Sequence, residues 1–287
     1  MSLRPPLGSG EWSFVVLPDT QNMVEFYPAI YQSMINWVLA NRVTLNIQAV
    51  LHVGDLVNHY NVTAEWTTGV AGMSQLETVI PTGISAGNHD LGYPVAHPEN
   101  FLTYFGPANY AGYPWYGAHR AGECDYWITW TVGGQQYIAI FLAWWFPADA
   151  AALAWAVGVM QANPGAHVIL VAHQYITGGY PASTVGPGAA IWAAVGTEPN
   201  LWSVLCGHVP LDPVLGPEGR LDQAVPTASP DHHSQALMTN WQEVGSGGDG
   251  WLRVIEIGAD GLATIHTLSP WLEAVKSDFT SLFRCRI

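Results

Sequence analysis

Five short apolar runs, each ending at a polar residue able to bind a metal ion, constrain this chain more than any other feature. Trp12 to Leu17 leads to Asp19-Thr20-Gln21, and Ile47 to Val53 leads to Gly54-Asp55. Thr82 to Ala86 leads to Gly87-Asn88-His89-Asp90, His167 to Ala172 to His173, and Leu201 to Cys206 to Gly207-His208. Runs of this length read as buried strands. Between the first two, Ile30, Met34, Trp37 and Val38 repeat at helical spacing behind Pro28, a residue suited to a first helical turn. Trp66, Val70, Met73, Leu76 and Val79 do the same before the third, and Pro81 stops them. Strand, helix and strand in alternation imply βαβ units and an α/β fold. In open α/β sheets, ligands gather outside the carboxyl ends of the strands.

The remainder of the chain is less regular. Leu91 to Glu123 is rich in Gly, Pro, Tyr and Trp without a clear period, and it reads as a long loop insertion beside the site. Tyr93, Tyr110, Tyr113, Trp115 and Tyr116 either form a substrate wall there or pack the loop down as an aromatic cluster. Asp125 to Val132 and Gln136 to Ala143 form a hairpin through Gly133-Gly134, Ala148 to Gln161 a helix, and Ile191 to Val195 a short helix after a Gly/Pro-rich loop at Gly178 to Gly188. The tail, Gln235 to Leu268, reads as two or three antiparallel strands. No repeat and no linker divides the 287 residues, so a single domain is expected over 1–287, with residues 1–10 flexible.

Composition narrows the ligands. Twenty-two acidic against eight basic residues give a net charge of −14, which disfavours a long nucleic acid as partner. Only 10% of residues are charged, below the roughly 25% usual for soluble proteins. Fourteen Trp and twelve Tyr leave rings available for a cleft or an association surface, and a homo-oligomer is compatible with them. Cys124, Cys206 and Cys285 are too few for a disulfide framework, and no pairing follows from their positions. No apolar run is long enough to span a membrane. No signal peptide is evident in this chain; the protein would be secreted if one had been removed, and the sequence assigns no compartment.

Each polar stretch alone is ambiguous, but together they supply a ligand set. A carboxamide oxygen completes a metal shell without adding charge, and a neighbouring imidazole exchanges protons near neutral pH. Carboxylates buried at strand ends need partners, and a metal ion is a natural one. The order Asp-x-Gln, Gly-Asp, Gly-Asn-His-Asp, lone His, Gly-His resembles the calcineurin-like metallophosphoesterase superfamily. The tail, with Gly247-Gly248-Asp249-Gly250-Trp251-Leu252-Arg253 and Thr267-Leu268-Ser269-Pro270, is similar to a subgroup opening with Asp-Thr-Gln. The resemblance implies a four-layer α/β/β/α sandwich with two divalent or transition metal ions at the carboxyl ends of the strands.

Carried over residue by residue, it implies that Asp55 bridges both metals. Asn88, His173 and His208 complete one site, a mixed nitrogen and oxygen shell suited to Zn, Mn or Fe. Asp19 anchors the other site, with Gln21 as a weak donor. His89 serves as general acid, oriented by Asp90, while a metal-bound hydroxide attacks phosphorus. Two departures bear on the Asp19 site. Gln21 and Pro210 stand where the family usually has histidine, so this site is expected to bind more weakly or to be completed by Asn22, His59, His232 or His233.

The other histidines have plainer readings. His52 lies within a strand as a core residue, His97 and His119 fall in the aromatic loop, and His266 alternates in a tail strand. Arg253 either pairs with a carboxylate or meets a phosphate. The expected function is metal-dependent hydrolysis of a small phosphate ester, as a phosphodiesterase or phosphomonoesterase with triesters included. The alternative is a non-catalytic binding or interaction protein on a phosphoesterase scaffold with one eroded metal site.

Overall fold

The computed structural model describes residues 11–146, 148–209, 216–225, 232–278 and 280–286. In chain order the first half runs β1 (Trp12–Leu17), α1 (Gln21–Phe26), α2 (Pro28–Asn41), β2 (Ile47–His52), α3 (Thr63–Glu77), β3 (Thr82–Ile84), α4 (Asn88–Leu91), α5 (Glu99–Phe105), α6 (Pro107–Tyr110), β4 (Tyr116–His119), β5 (Tyr126–Val132) and β6 (Gln135–Leu142). The second half runs α7 (Ala150–Ala162), β7 (His167–Ala172), α8 (Gly188–Val195), β8 (Leu201–Cys206), β9 (Glu218–Ala224), β10 (His233–Thr239), β11 (Leu252–Ile257), β12 (Leu262–Ser269), β13 (Ala274–Val275) and β14 (Leu282–Arg286).

These strands build two sheets. One has the order β13-β12-β11-β1-β2-β3, with β14 also paired to β12; the other has the order β4-β5-β6-β7-β8-β10-β9. β1, β2 and β3 are parallel, as are β6, β7, β8 and β10. Successive side chains of a strand face opposite sides, and β6 shows where those sides lead. Tyr137, Ala139 and Phe141 join the core shared with the first sheet, while Ile138, Ile140 and Leu142 join the core under α7 and α8. α2 and α3 bring Ile30, Met34, Val38, Trp66, Met73 and Leu76 to the first core. The result is the expected α/β/β/α sandwich. Tyr126 joins the two sheets directly: its hydroxyl accepts from the Ile84 N–H at 2.6 Å and donates to the Ile84 carbonyl at 3.0 Å.

The predicted hairpin is present, with Val132 opposite Gln135 and a two-residue turn of Gly133 and Gly134 at φ 58° and 87°. Both values lie in the left-handed region that such a turn demands and glycine adopts freely. Two other expectations are corrected. Residues 91–123 are not one long loop; they hold α5, α6 and β4, helices and strand too short for periodicity to reveal. Tyr110 is fully buried and packs on Trp115, Tyr116 and Tyr126, so this group forms a core cluster. The tail is not a single antiparallel unit either. β11 and β12 are antiparallel neighbours, but β10 joins the other sheet beside β8. The three cysteines are free and buried. No described helix is long and apolar enough to cross a membrane. Residues 1–10 lie outside the described residues.

Candidate metal centre

The parallel strands of both sheets deliver their carboxyl ends to one edge, where the two sheets are stitched together. Thr20 N–H and Gln21 N–H both donate to the Asp55 carbonyl at 3.0 Å, fixing the end of β1 to the end of β2. Asp19 Oδ2 accepts from His208 N–H at 2.9 Å, and Gly207 N–H donates to the His173 carbonyl at 2.8 Å. A side chain at Gly207 would put its first carbon 1.8 Å from Asp19 Oδ1, so only glycine allows this approach. Asp55 and His208 themselves adopt φ of 54° and 66°. Such angles are uncommon for residues with a side chain and gather at functional sites.

Four donor atoms converge there. His208 Nδ1 lies 2.7 Å and His173 Nε2 3.0 Å from Asn88 Oδ1. His173 Nε2 is also 3.1 Å from Asp55 Oδ2, and the two ring nitrogens are 3.2 Å apart. His173 Nδ1 sits 3.0 Å from the Val53 carbonyl, an acceptor only, so its proton is committed there. Nε2 then presents a lone pair toward two oxygens. Acceptors facing acceptors in a buried site require a proton or a cation between them.

The electrostatics point the same way. Burial opposes charge on His173, but the Asp55 carboxylate outweighs it and raises the imidazole to about 9. Burial and the neighbouring His173 pull His208 down to about 4, leaving a neutral ring with a free lone pair. Burial pushes Asp19 up to about 8. These donors, two imidazoles, a carboxamide and a carboxylate, fit a first-row transition metal. The bond from His173 to the Val53 carbonyl is the kind of outer contact that orients a metal-binding imidazole.

Of the residues singled out in the sequence, Asp55, Asn88, His173 and His208 meet within this cluster. Asp19 and Gln21 lie against it, Gln21 Nε2 standing 3.4 Å from Asp55 Oδ2. His89 N–H donates to Asp55 Oδ1 at 2.9 Å, and its ring Nδ1 bonds the Asn58 carbonyl at 2.8 Å. Asp90 differs from expectation. Its carboxylate accepts from the backbone N–H groups of Asp55, Leu56, Val57 and Gly87, at 2.9 to 3.1 Å. It therefore holds the Asp55 turn, and the Asn58 carbonyl, not Asp90, orients His89. A carboxylate beside a histidine in sequence looked like its partner; four convergent N–H groups claimed it instead.

The residues considered as replacements for the missing histidines are engaged with other partners. Asn22 donates to the Gln242 carbonyl, and His59 pairs with Glu65 at 2.9 Å and Glu25 at 3.8 Å. His232 bonds the Leu201 carbonyl and His233 pairs with Asp222, both at the far end of β8 and β10. Pro210 and Asp231 lie outside the described residues. Sequence reading missed Gln242, whose side-chain oxygen contacts Gln21 Nε2. The signal was there: Asn240-Trp241-Gln242 also follows the end of a parallel strand.

A cleft of about 380 Å³ opens beside the cluster, lined by Asn58, Tyr60, Asn88, His89 and Tyr93 among others. Tyr60 stacks on His97 with ring centres 4.6 Å apart. Tyr93 meets Trp144 edge-on at 4.8 Å, and Trp144 stacks on His208 at 5.7 Å. Of the five rings considered as a substrate wall, Tyr93 lines this cleft and is 56% exposed, while Tyr110 and its neighbours serve the core. His52 is a core histidine, its Nε2 2.9 Å from Thr20 Oγ1 and its Nδ1 accepting from Gly54 N–H.

Known proteins resemble this chain in sequence or in fold. An uncharacterized protein of Bacillus subtilis, YvnB, is 27% identical over 270 residues; the match covers 93% of this chain and 20% of that protein, so the chain spans about a fifth of the length of this curated relative. A purple acid phosphatase from yellow lupin seeds superimposes with a TM-score of 0.58 at 11% identity, covering 95% of this chain and 54% of the lupin chain. GAP50, the anchor in the inner membrane complex of Plasmodium, does so with a TM-score of 0.58 at 12% identity, covering 97% and 90%. At these identities the two structures share the fold. The sequence profile of calcineurin-like phosphoesterases matches residues 13–253, a span that begins in β1 and ends in β11. The chain belongs to the calcineurin-like phosphoesterase family, a family of metal-dependent phosphoester hydrolases.

Proposed function

We propose that the chain hydrolyses small phosphate mono- or diesters, with Asp55, Asn88, His173 and His208 holding one metal ion and Asp19 and Gln21 contributing to a second. The observation that carries this reading is the convergence of Asp55 Oδ2, Asn88 Oδ1, His173 Nε2 and His208 Nδ1 at separations of 2.7 to 3.2 Å. When bound, the metal ions lower the pKa of water and offset the charge of the phosphoryl group. The chain's own groups supply the rest. Asp55 keeps one oxygen for the His89 N–H and the other for the donor cluster, so its carboxylate is held at both ends. The Asn58 carbonyl accepts a hydrogen bond from His89 Nδ1–H and thereby leaves Nε2 to serve the cleft. Protonated there, His89 can donate to the departing alkoxide or phenoxide as general acid. Tyr60 and Tyr93 offer an aromatic wall to the group that departs.

The test compares leaving groups. Chelated protein, reconstituted with Mn, Zn or Fe, is assayed on p-nitrophenyl phosphate, bis-p-nitrophenyl phosphate and alkyl phosphates. Turnover restored by added metal is expected. His89→Ala is expected to lose on the order of 10²–10⁴-fold on alkyl esters and much less on nitrophenyl esters, which depart without a proton. Equal losses on both classes would remove the acid role from His89. Full metal occupancy without turnover on any ester would turn the reading toward a binding scaffold.

A further inference from the structure

A second set of polar atoms lies beside the histidine-rich one, and it contains no histidine. Asp19 Oδ1 and Gln21 Oε1 are buried with no hydrogen-bond partner among the described residues. Gln21 Nε2 reaches Asp55 Oδ2 and also contacts Gln242 Oε1. Gln242 is held firmly in this place. Its N–H donates to Asn240 Oδ1 at 3.1 Å, and its carbonyl accepts from Asn22 Nδ2 at 3.0 Å. Asn240 in turn donates to the Val209 carbonyl, tying the segment after β10 to the turn that carries His208.

An unpartnered buried oxygen costs free energy, and here two residues separated by one position in the chain each carry one. A glutamine amide presents oxygen or nitrogen with the same outline after a half-turn. Gln21 and Gln242 can thus both offer oxygen where Asp19 and Asp55 already do. We infer that Asp19, Gln21, Asp55 and Gln242 form an all-oxygen cation site, in which the Gln242 carboxamide takes a place that histidine would otherwise fill. Carboxylate and carboxamide oxygens suit hard cations, so this site takes Mn²⁺ or Mg²⁺ and discriminates against Zn²⁺, which the histidine-rich set prefers. The inference rests on the reading that Asp55 is shared by two ions. It makes the chain an asymmetric binder, with one nitrogen-rich and one oxygen-only position.

The test uses metal ions alone, so it is independent of turnover. Chelated full-length protein is titrated with Mn²⁺ by calorimetry and followed by electron paramagnetic resonance. Two equivalents and a spin-coupled signal are expected. Gln242→Leu should weaken one equivalent by about 10-fold or more, abolish the coupled signal and leave the other equivalent at its original affinity. Gln242→Glu, which keeps the oxygen and adds charge, should restore both equivalents and the coupling. Zn²⁺ added at one equivalent should displace Mn²⁺ from the position that Gln242→Leu leaves intact. Two unaltered equivalents in Gln242→Leu would overturn the site, as would the loss of both together while Gln242→Glu also binds none. Two Mn²⁺ bound without phosphoester turnover would instead sink the hydrolase reading and leave this site standing.

Discussion

Two buried charge clusters in this molecule obey opposite rules. Around Glu218 every acceptor is matched. Glu218 Oε2 accepts from Arg253 Nη2 and Ser281 Oγ, and Oε1 accepts from Lys276 Nζ and Trp241 Nε1. Around Asp55 the acceptors outnumber the donors: Asp19 Oδ1 and Gln21 Oε1 have no partner among the described residues, and His173 Nε2 faces two oxygens. The Glu218 carboxylate is fully partnered as folded and has no need of a cation. The second cluster is completed only by protons or by cations. A buried ion pair is weak evidence of function, whereas a buried excess of acceptors at converging strand ends is strong evidence of a metal site. Arg253 illustrates the distinction. It is a scarce cation near the motif set, yet its Nη2 is committed to Glu218 and to the Thr280 carbonyl, while Nε and Nη1 have no hydrogen-bond partner among the described residues.

The contrast can be broken first at Glu218. Glu218→Leu strands Arg253, which is 0% exposed, without its carboxylate. Leaving a buried charge unpaired costs about 3–5 kcal/mol. Denaturant unfolding should show that loss, while Mn²⁺ affinity of the remaining folded protein stays near its original value. A loss of metal affinity without a loss of stability would show that the two clusters are not independent.

Asp19→Asn should behave in the opposite manner. Burial raises the Asp19 carboxyl to about 8, above its ordinary value near 3.8. A folded-state pKa above the unfolded one means that the folded protein holds more protons, so stability falls as pH rises between those values. The amide does not titrate. Chelated Asp19→Asn should therefore be as stable as the parent at pH 4 and more stable at pH 8, while binding Mn²⁺ more than about 10-fold more weakly. A stability loss at pH 8 would mean that Asp19 is a structural partner of the Glu218 kind.

Metal uptake sharpens the same point through pH. The His173 imidazole is held at about 9, its burial outweighed by Asp55. Below that value a metal must displace the His173 proton, so apparent affinity should rise roughly 10-fold per pH unit up to about 9 and then level. Calorimetry in buffers of different ionisation enthalpy should show close to one proton released per ion at the histidine-rich position. Affinity independent of pH would show that His173 does not bind the ion.

How much of this was legible in the sequence depended on what each residue follows. Asp19, Asp55, Asn88, His173 and His208 each close an apolar run, and period and punctuation alone placed them on one edge. Gln242 obeys the same grammar, but β10 was read as part of an antiparallel tail. An apolar run does not say which sheet it joins, and β10 pairs in parallel with β8. β9 was invisible because Glu-Gly-Arg-Leu-Asp-Gln-Ala carries the charges of an edge strand. Asp90 was assigned the wrong neighbour because adjacency in sequence is a weaker guide than four backbone N–H groups supplied by two turns. Tyr110 and Trp115 were ambiguous because aromatic residues suit a cleft and a core equally well, and only packing decides between them.

The smallest effect concerns a third buried carboxylate, which separates burial from function. Glu77 lies at the end of α3, 9% exposed, with the Tyr110 hydroxyl donating to it at 3.2 Å. Burial raises it to about 7 from an ordinary value of 4.5. Like Asp19, it favours the folded state when protonated, and stability should fall as pH rises from about 4.5 to about 7 and change little above. Glu77→Gln keeps the shape and the Tyr110 acceptor but cannot ionise. It should leave stability at pH 4 unchanged and add roughly 1–3 kcal/mol at pH 8, with no change in Mn²⁺ binding at any pH. If metal affinity moved with it, a perturbed buried carboxylate would no longer distinguish a site from a core. If it does not, the distinguishing mark of the Asp19 site is convergence of acceptors, since Glu77 shares its burial and its raised pKa but is met by the Tyr110 donor.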